Sequence, residues 1–167
     1  NDAVAAAQTA PTWTDAAYGS HGALRFDEEA FMQVTHTAEL NAGEDGFSVF
    51  MVYRHVRGIR LAQKKSGASG TQADAWFVAA AQGLGVAGTY RQGTPLFEAS
   101  EGVNIQGNVF DPEAEAIMIF SGDQLLDTLS GVKPQVPNED DLFLGKRDHP
   151  AGTALGWEGD LFEVIIY

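Results

Sequence analysis

The residues best suited to chemistry in this chain are rings beside guanidinium groups, Tyr53-Arg54 and Tyr90-Arg91, together with Trp76. The C–H face of a pyranose stacks on a flat ring, and a guanidinium donates charge-assisted hydrogen bonds to hydroxyls or carboxylates. Tyr53, Arg54, Trp76, Tyr90 and Arg91 are therefore the expected ligand-binding residues. Each Tyr-Arg pair falls at the end of a predicted strand, where a loop-rimmed groove would lie. Strand neighbours point to opposite faces, so only one member of a pair can serve a given groove. The competing role for any single large aromatic is core packing.

Catalytic chemistry finds no comparable foothold. The chain has no Cys, no G-x-S-x-G elbow and no H-E-x-x-H pair, and His21, His36, His55 and His149 are scattered. Glycoside hydrolysis needs two carboxyls roughly 5 to 10 Å apart, a spacing that alternate positions on one strand supply. No predicted strand carries such a pair facing one way. Glu113 and Glu115 come nearest, in an acidic turn beside Pro112. The expectation is a protein that is not an enzyme. Gly83-Leu84-Gly85-Val86-Ala87-Gly88 spells G-x-G-x-x-G, but Thr89 to Pro95 is β-prone and broken, so it offers no helix N-terminus for a pyrophosphate. A glycine-rich hairpin between two strands is expected there. Asp27-Glu28-Glu29, Glu44-Asp45 and Asn138-Glu139-Asp140-Asp141 are where Ca²⁺ would find hard oxygen ligands, in a structural role. The competing reading is a solvated acidic surface.

The elements that must position these residues are short. Apolar stretches are closed by Gly, Pro, Asn or Asp within about ten residues, the rhythm of an all-β sandwich of eight or more strands. The clearest predicted strands are Ala23 to Phe26, Phe31 to Thr35, Phe47 to Arg54, Ile59 to Lys64, Ala75 to Ala81, Gly85 to Gln92, Ala116 to Phe120, Gln124 to Thr128, Asp141 to Gly145 and Asp160 to Tyr167. Phe47 to Tyr53 and Ile117 to Phe120 are apolar on both faces, which predicts central strands with a partner above and below. Edge strands should alternate, and the last strand places Leu161, Glu163, Ile165 and Tyr167 on one face. Ser121-Gly122-Asp123 offers the positive-φ residue of a tight reversal.

At 167 residues the chain is sized for one domain with a real core, assigned here to residues 1–167. With 10 Lys plus Arg against 23 Asp plus Glu, the formal net charge of -13 opposes nucleic acid and anionic membranes as partners. Without Cys there are no disulfides, so stability must come from packing. Hydrophobic runs stay far below the roughly 20 residues of a membrane span, and Asn1 to Thr14 lacks the basic start of a signal peptide. An Asn1 start suggests a processed chain or a piece of a longer one.

Several motifs, in order, resemble the concanavalin A-like lectin/glucanase superfamily, specifically its laminin-G-like jelly-roll modules. Asn1-Asp2-Ala3, Pro11-Thr12-Trp13 and Gly22-Ala23-Leu24-Arg25-Phe26-Asp27 are similar to the opening of such modules. Phe47 to Arg54 resembles the long central strand, and Ile119-Phe120-Ser121-Gly122-Asp123 the later hairpin. Leu142-Phe143-Leu144-Gly145, then Gly156-Trp157-Glu158-Gly159-Asp160-Leu161-Phe162-Glu163-Val164-Ile165-Ile166-Tyr167, resembles the closing signature. The resemblance implies two antiparallel sheets, one curved, with a concave face that binds carbohydrate in many relatives and protein in others, and in many a calcium ion near the rim. It also implies that this chain begins one strand late, and a bacterial setting outside the cell or on its surface. The E-x-D-x-x-E string of family-16 glucanases and the Q-[IV]-H strand of alginate lyases are missing. The expected function is thus a non-catalytic, lectin-like module that binds a glycan, as part of a larger secreted or cell-surface protein. The alternatives are an adhesion or structural module with a protein partner, and a divergent polysaccharide hydrolase or lyase.

Overall fold

The computed structural model describes residues 3–5, 9–27, 29–64, 75–87, 89–90, 96, 102–135, 137–147 and 155–167. Its strands are β1 (Ala3–Val4), β2 (Thr12–Tyr18), β3 (His21–Phe26), β4 (Met32–Val34), β5 (Phe47–Arg57), β6 (Arg60–Lys64), β7 (Trp76–Ala79), β8 (Gly83–Val86), β9 (Asn104–Asp111), β10 (Ala116–Ser121), β11 (Gln124–Ser130), β12 (Leu142–Leu144), β13 (Lys146–Arg147), β14 (Leu155–Gly156) and β15 (Glu158–Ile166). Six pair in the order β1-β4-β12-β6-β7-β8 and seven in the order β11-β10-β9-β5-β15-β3-β2, and all the pairings are antiparallel. One 3₁₀ turn, Ala38–Leu40, is the only helical element among the described residues. This is the antiparallel sandwich that the spacing of turn residues predicts, with the jelly-roll form that the resemblance implies.

Period-two alternation builds the core. On β5, Phe47, Val49, Met51 and Tyr53 are buried, while Ser48, Val52 and Arg54 are half-buried and Phe50 is exposed. The inward set meets Trp76 and Leu84 of the other sheet, with Phe47 and Trp76 ring centroids 4.7 Å apart. β5 is central, as expected, but covered on one face only. β10 lies next to the sheet edge, with Ile117 and Ile119 inward and Met118 and Phe120 outward. Apolar residues on both faces of these strands therefore do not mark double burial.

Three further expectations are corrected. β15 lies inside its sheet, between β5 and β3, and its register shifts between Leu161 and Glu163. That bulge adds one residue, so Leu161, Val164 and Ile166 all pack on the core while Glu163 is turned to solvent. Gly83 and Gly85 of the G-x-G-x-x-G string lie within β8, Gly88 lies outside the described residues, and the chain reverses earlier, at Ala80 to Gln82, with Ala81 at φ 56 and Gly83 at φ 101. β2 and β9 form where no strand is predicted. β9 is inverted: Asn104, Gln106 and Asn108 are buried, and Ile105 is 52% exposed. Gln106 makes this tolerable. Its Oε1 accepts from Tyr53 Oη at 2.8 Å and the Ala81 amide at 3.2 Å, and its Nε2 donates to the Ala79 carbonyl at 3.2 Å. The Ser121 to Gln124 reversal is as expected, with Gly122 at φ 57.

Candidate functional site

The strongest concentration of chemistry lies on the outer face of the seven-stranded sheet, where β3, β15 and β5 run side by side. The register sets Asp160 of β15 opposite Arg25 of β3 and opposite Arg54 of β5, all three on one face. Asp160 is fully buried, and each of its oxygens takes one guanidinium, Oδ1 from Arg25 Nε and Oδ2 from Arg54 Nη2. The Arg25 and Arg54 side chains are 43% and 28% exposed. Arg54 Nη1 also donates to the Ala17 carbonyl at 3.4 Å, which ties the group to the bulged strand β2.

The electrostatics follow from the count of charges. Two cations share one carboxylate, so these three side chains together carry one positive charge on a chain of net charge -13, with the Glu158 carboxylate also acting on Arg25. The hydrogen bond to Asp160 raises the Arg25 pKa further, so the group is cationic at any working pH. Each guanidinium has five N–H donors in a rigid fork, and Asp160 engages one nitrogen of each. Both guanidiniums are held by a buried anchor and remain partly exposed, an arrangement that can take a second, external carboxylate. Glu163, turned outward by the bulge, lies nearby opposite Val52 and can accept from a hydroxyl.

The expected site residues separate. Arg54 belongs to this cluster. Tyr53 is its neighbour on β5 but points inward, fully buried, and burial drives its phenol pKa far above the ordinary value. Trp76 is likewise at 0% exposure, with Nε1 donating to the Leu40 carbonyl at 2.7 Å. Neither ring has a face to offer a sugar, because each fills the space between the sheets. Tyr90 is exposed but packs edge-on against Phe77, at 5.4 Å between centroids, on the other sheet. Arg91 lies outside the described residues. The sequence reasoning missed Arg25 and Asp160. The signal available was an acid in the closing strand that no rim position explains, together with the Arg of the opening Arg25-Phe26-Asp27 motif.

Two other features offer less. A recess of about 500 Å³ opens between the sheets, lined by inward groups such as Val34, Leu142, Leu144 and Ile166, so the sheet itself separates it from the arginine pair. Two acids of the expected Ca²⁺ clusters are engaged locally. Asp27 accepts from the amides of Glu29 and Ala30, and Asp141 from the His36 amide and the Gln33 side chain. Among the described residues no three His, Asp or Glu side chains converge on a metal position. Among the described residues no helix is long and apolar enough to cross a membrane.

No protein-family profile and no curated protein matches the sequence. Solved structures do share the fold. The carbohydrate-binding module CBM40 of the Ruminococcus gnavus IT-sialidase, bound to α2,3-sialyllactose, superposes with a TM-score of 0.60 at 15% identity, over 81% of this chain and 88% of that one. The same module without ligand gives 0.59 at 14%, over 81% and 89%, and bound to α2,6-sialyllactose 0.55 at 13%, over 81% and 89%. At such identities the likeness is one of fold, and what it joins this chain to is the antiparallel jelly-roll sandwich.

Proposed function

We propose that this chain is a non-catalytic carbohydrate-binding module whose ligand is a sugar bearing a carboxylate, held by Arg25 and Arg54. The observation that carries the proposal is the pair of guanidiniums anchored on one buried carboxylate, cationic and outward-facing on a strongly acidic protein. A buried Asp160 needs one partner to be neutralised; the second leaves a positive charge for something else. The CBM40 structures that share the fold include two holding sialyllactose, an acidic glycan, which supports the same class of ligand. Within the sandwich class, the opening and closing motifs support a laminin-G-like module of a larger secreted or cell-surface bacterial protein. Such a module supplies binding, and a partner domain any catalysis.

Calorimetric titration with sialyllactose and with glucuronic-acid oligosaccharides tests the proposal. The wild-type chain should bind at least one of them. Arg54→Ala, which leaves Asp160 paired with Arg25, should weaken that binding about tenfold or more, while Lys133→Ala, at an exposed ion pair with Glu115, should not. Equal affinity of Arg54→Ala and wild type, with unchanged circular dichroism, would remove the arginine pair from the binding role.

A further inference from the structure

The face that holds the arginine pair carries a second feature, continuous with the first. At one register, Ile165, Phe50, Gly107, Phe120 and Leu125 stand side by side on β15, β5, β9, β10 and β11. Glu163, Val52 and Ile105 form the next row toward Arg54, with the carboxylate at its β15 end. Phe50, Ile105 and Leu125 are 38%, 52% and 50% exposed, and Ile165, Phe120 and Val52 are half-buried. This apolar surface is a product of specific choices. β9 turns amides into the core and Ile105 to water, against the usual direction of burial. Gly107 leaves room that the Phe50 ring occupies, since a Cβ there would sit 3.0 Å from the ring.

Apart from Glu163 at the β15 end of the second row, no side chain in these rows of Val, Ile, Leu, Phe and Gly can donate or accept a hydrogen bond, and the row through Phe50 is apolar along its whole length. A second sugar ring laid there would leave hydroxyls unpaired, whereas an alkyl or aryl group would bury apolar area at no such cost. Building on the acidic-sugar reading above, we propose that the ligand is a soluble acidic glycoside with an apolar aglycone. Its carboxylate lies on Arg25 and Arg54, and its aglycone across Val52, Ile105 and Phe50. The spacing suits this ligand. Val52 and Phe50 lie two and four residues from Arg54 on β5, roughly 7 and 13 Å, the reach of a glycosidic bond and a short chain.

The test compares methyl and octyl glycosides of sialic acid and of glucuronic acid, titrated calorimetrically below micelle-forming concentrations. For the acid that binds, the octyl glycoside should bind about tenfold more tightly than the methyl glycoside. Ile105→Thr, which keeps a β-branched residue, and Phe50→Ser should each remove most of that gain and leave methyl-glycoside affinity unchanged. If the methyl glycoside binds and the octyl gains nothing, the aglycone inference falls and the arginine site stands. If none of the glycosides binds, both fall together. A concentration-dependent dimer in ultracentrifugation that Ile105→Thr abolishes would make the rows a contact between copies of the chain and overturn the inference.

Discussion

A single buried carboxylate decides where the charges of this surface go. Asp160 lies at 0% exposure beneath two guanidiniums, and removing either cation leaves it one partner, while removing the acid would set two cations against each other. Arg54 was legible in the sequence as a guanidinium at the end of a strand. Its company was not, because Arg25 and Asp160 are separated by 135 residues and only the strand register brings them together. A second residue with a clear consequence is His55, whose Nδ1 accepts from Trp157 Nε1 at 3.0 Å. Only the neutral ring can accept, and burial lowers its pKa from the ordinary 6.5. As pH falls, the unfolded chain takes up this proton before the folded one. The stabilisation is therefore complete above about pH 6.5 and is lost as pH drops toward the depressed folded value. Urea titrations should show this loss as about 0.5 kcal/mol, and His55→Gln should flatten that part of the pH profile. An unchanged profile would mean that the ring is as free to protonate in the fold as outside it.

Among the elements, β9 explains most of what the sequence conceals. Asn104 to Asp111 carries no predicted strand, and its facing is the reverse of the usual one, with amides inward and Ile105 outward. A strand of this kind is stable only if every inward amide is paired, and Gln106 pairs with Tyr53, Ala79 and Ala81 across both sheets. Gln106→Leu should therefore destabilise the protein by about 2 kcal/mol despite adding apolar volume, since the Ala81 amide and the Ala79 carbonyl lose a partner. Chemical denaturation checks this, and a neutral or stabilising result would show that the site repacks as an ordinary core. β15 was readable as a strand but misread in its facing. One bulged residue returns Val164 and Ile166 to the core and turns Glu163 out, and strict alternation cannot anticipate an inserted residue.

At the scale of the whole molecule, a net charge of -13 surrounds the two guanidiniums that share Asp160. The long-range field repels an acidic sugar, and the guanidiniums attract it only at contact. Salt screens the first over a Debye length of about 10 Å at 0.1 M and affects the second much less. The association rate for an acidic glycan should thus rise roughly twofold between about 10 and 150 mM salt, the reverse of anion capture by a basic protein. Surface plasmon resonance at several salt concentrations measures it. A rate that falls with salt would mean that the basic patch extends well beyond Arg25 and Arg54.

The class of fold was written in the sequence, because short apolar runs closed by turn residues permit little besides stacked antiparallel strands, and local chemistry fixes where a chain reverses. Tyr53 and Trp76 show what local chemistry leaves open: a ring can serve a core or a ligand equally well until its neighbours across the sandwich are known. The pairing of β3, β15 and β5, and with it the meeting of Arg25, Asp160 and Arg54, belongs to the tertiary structure alone. Side chains brought together by register are distant along the chain, and no spacing in the sequence records which strands will lie side by side.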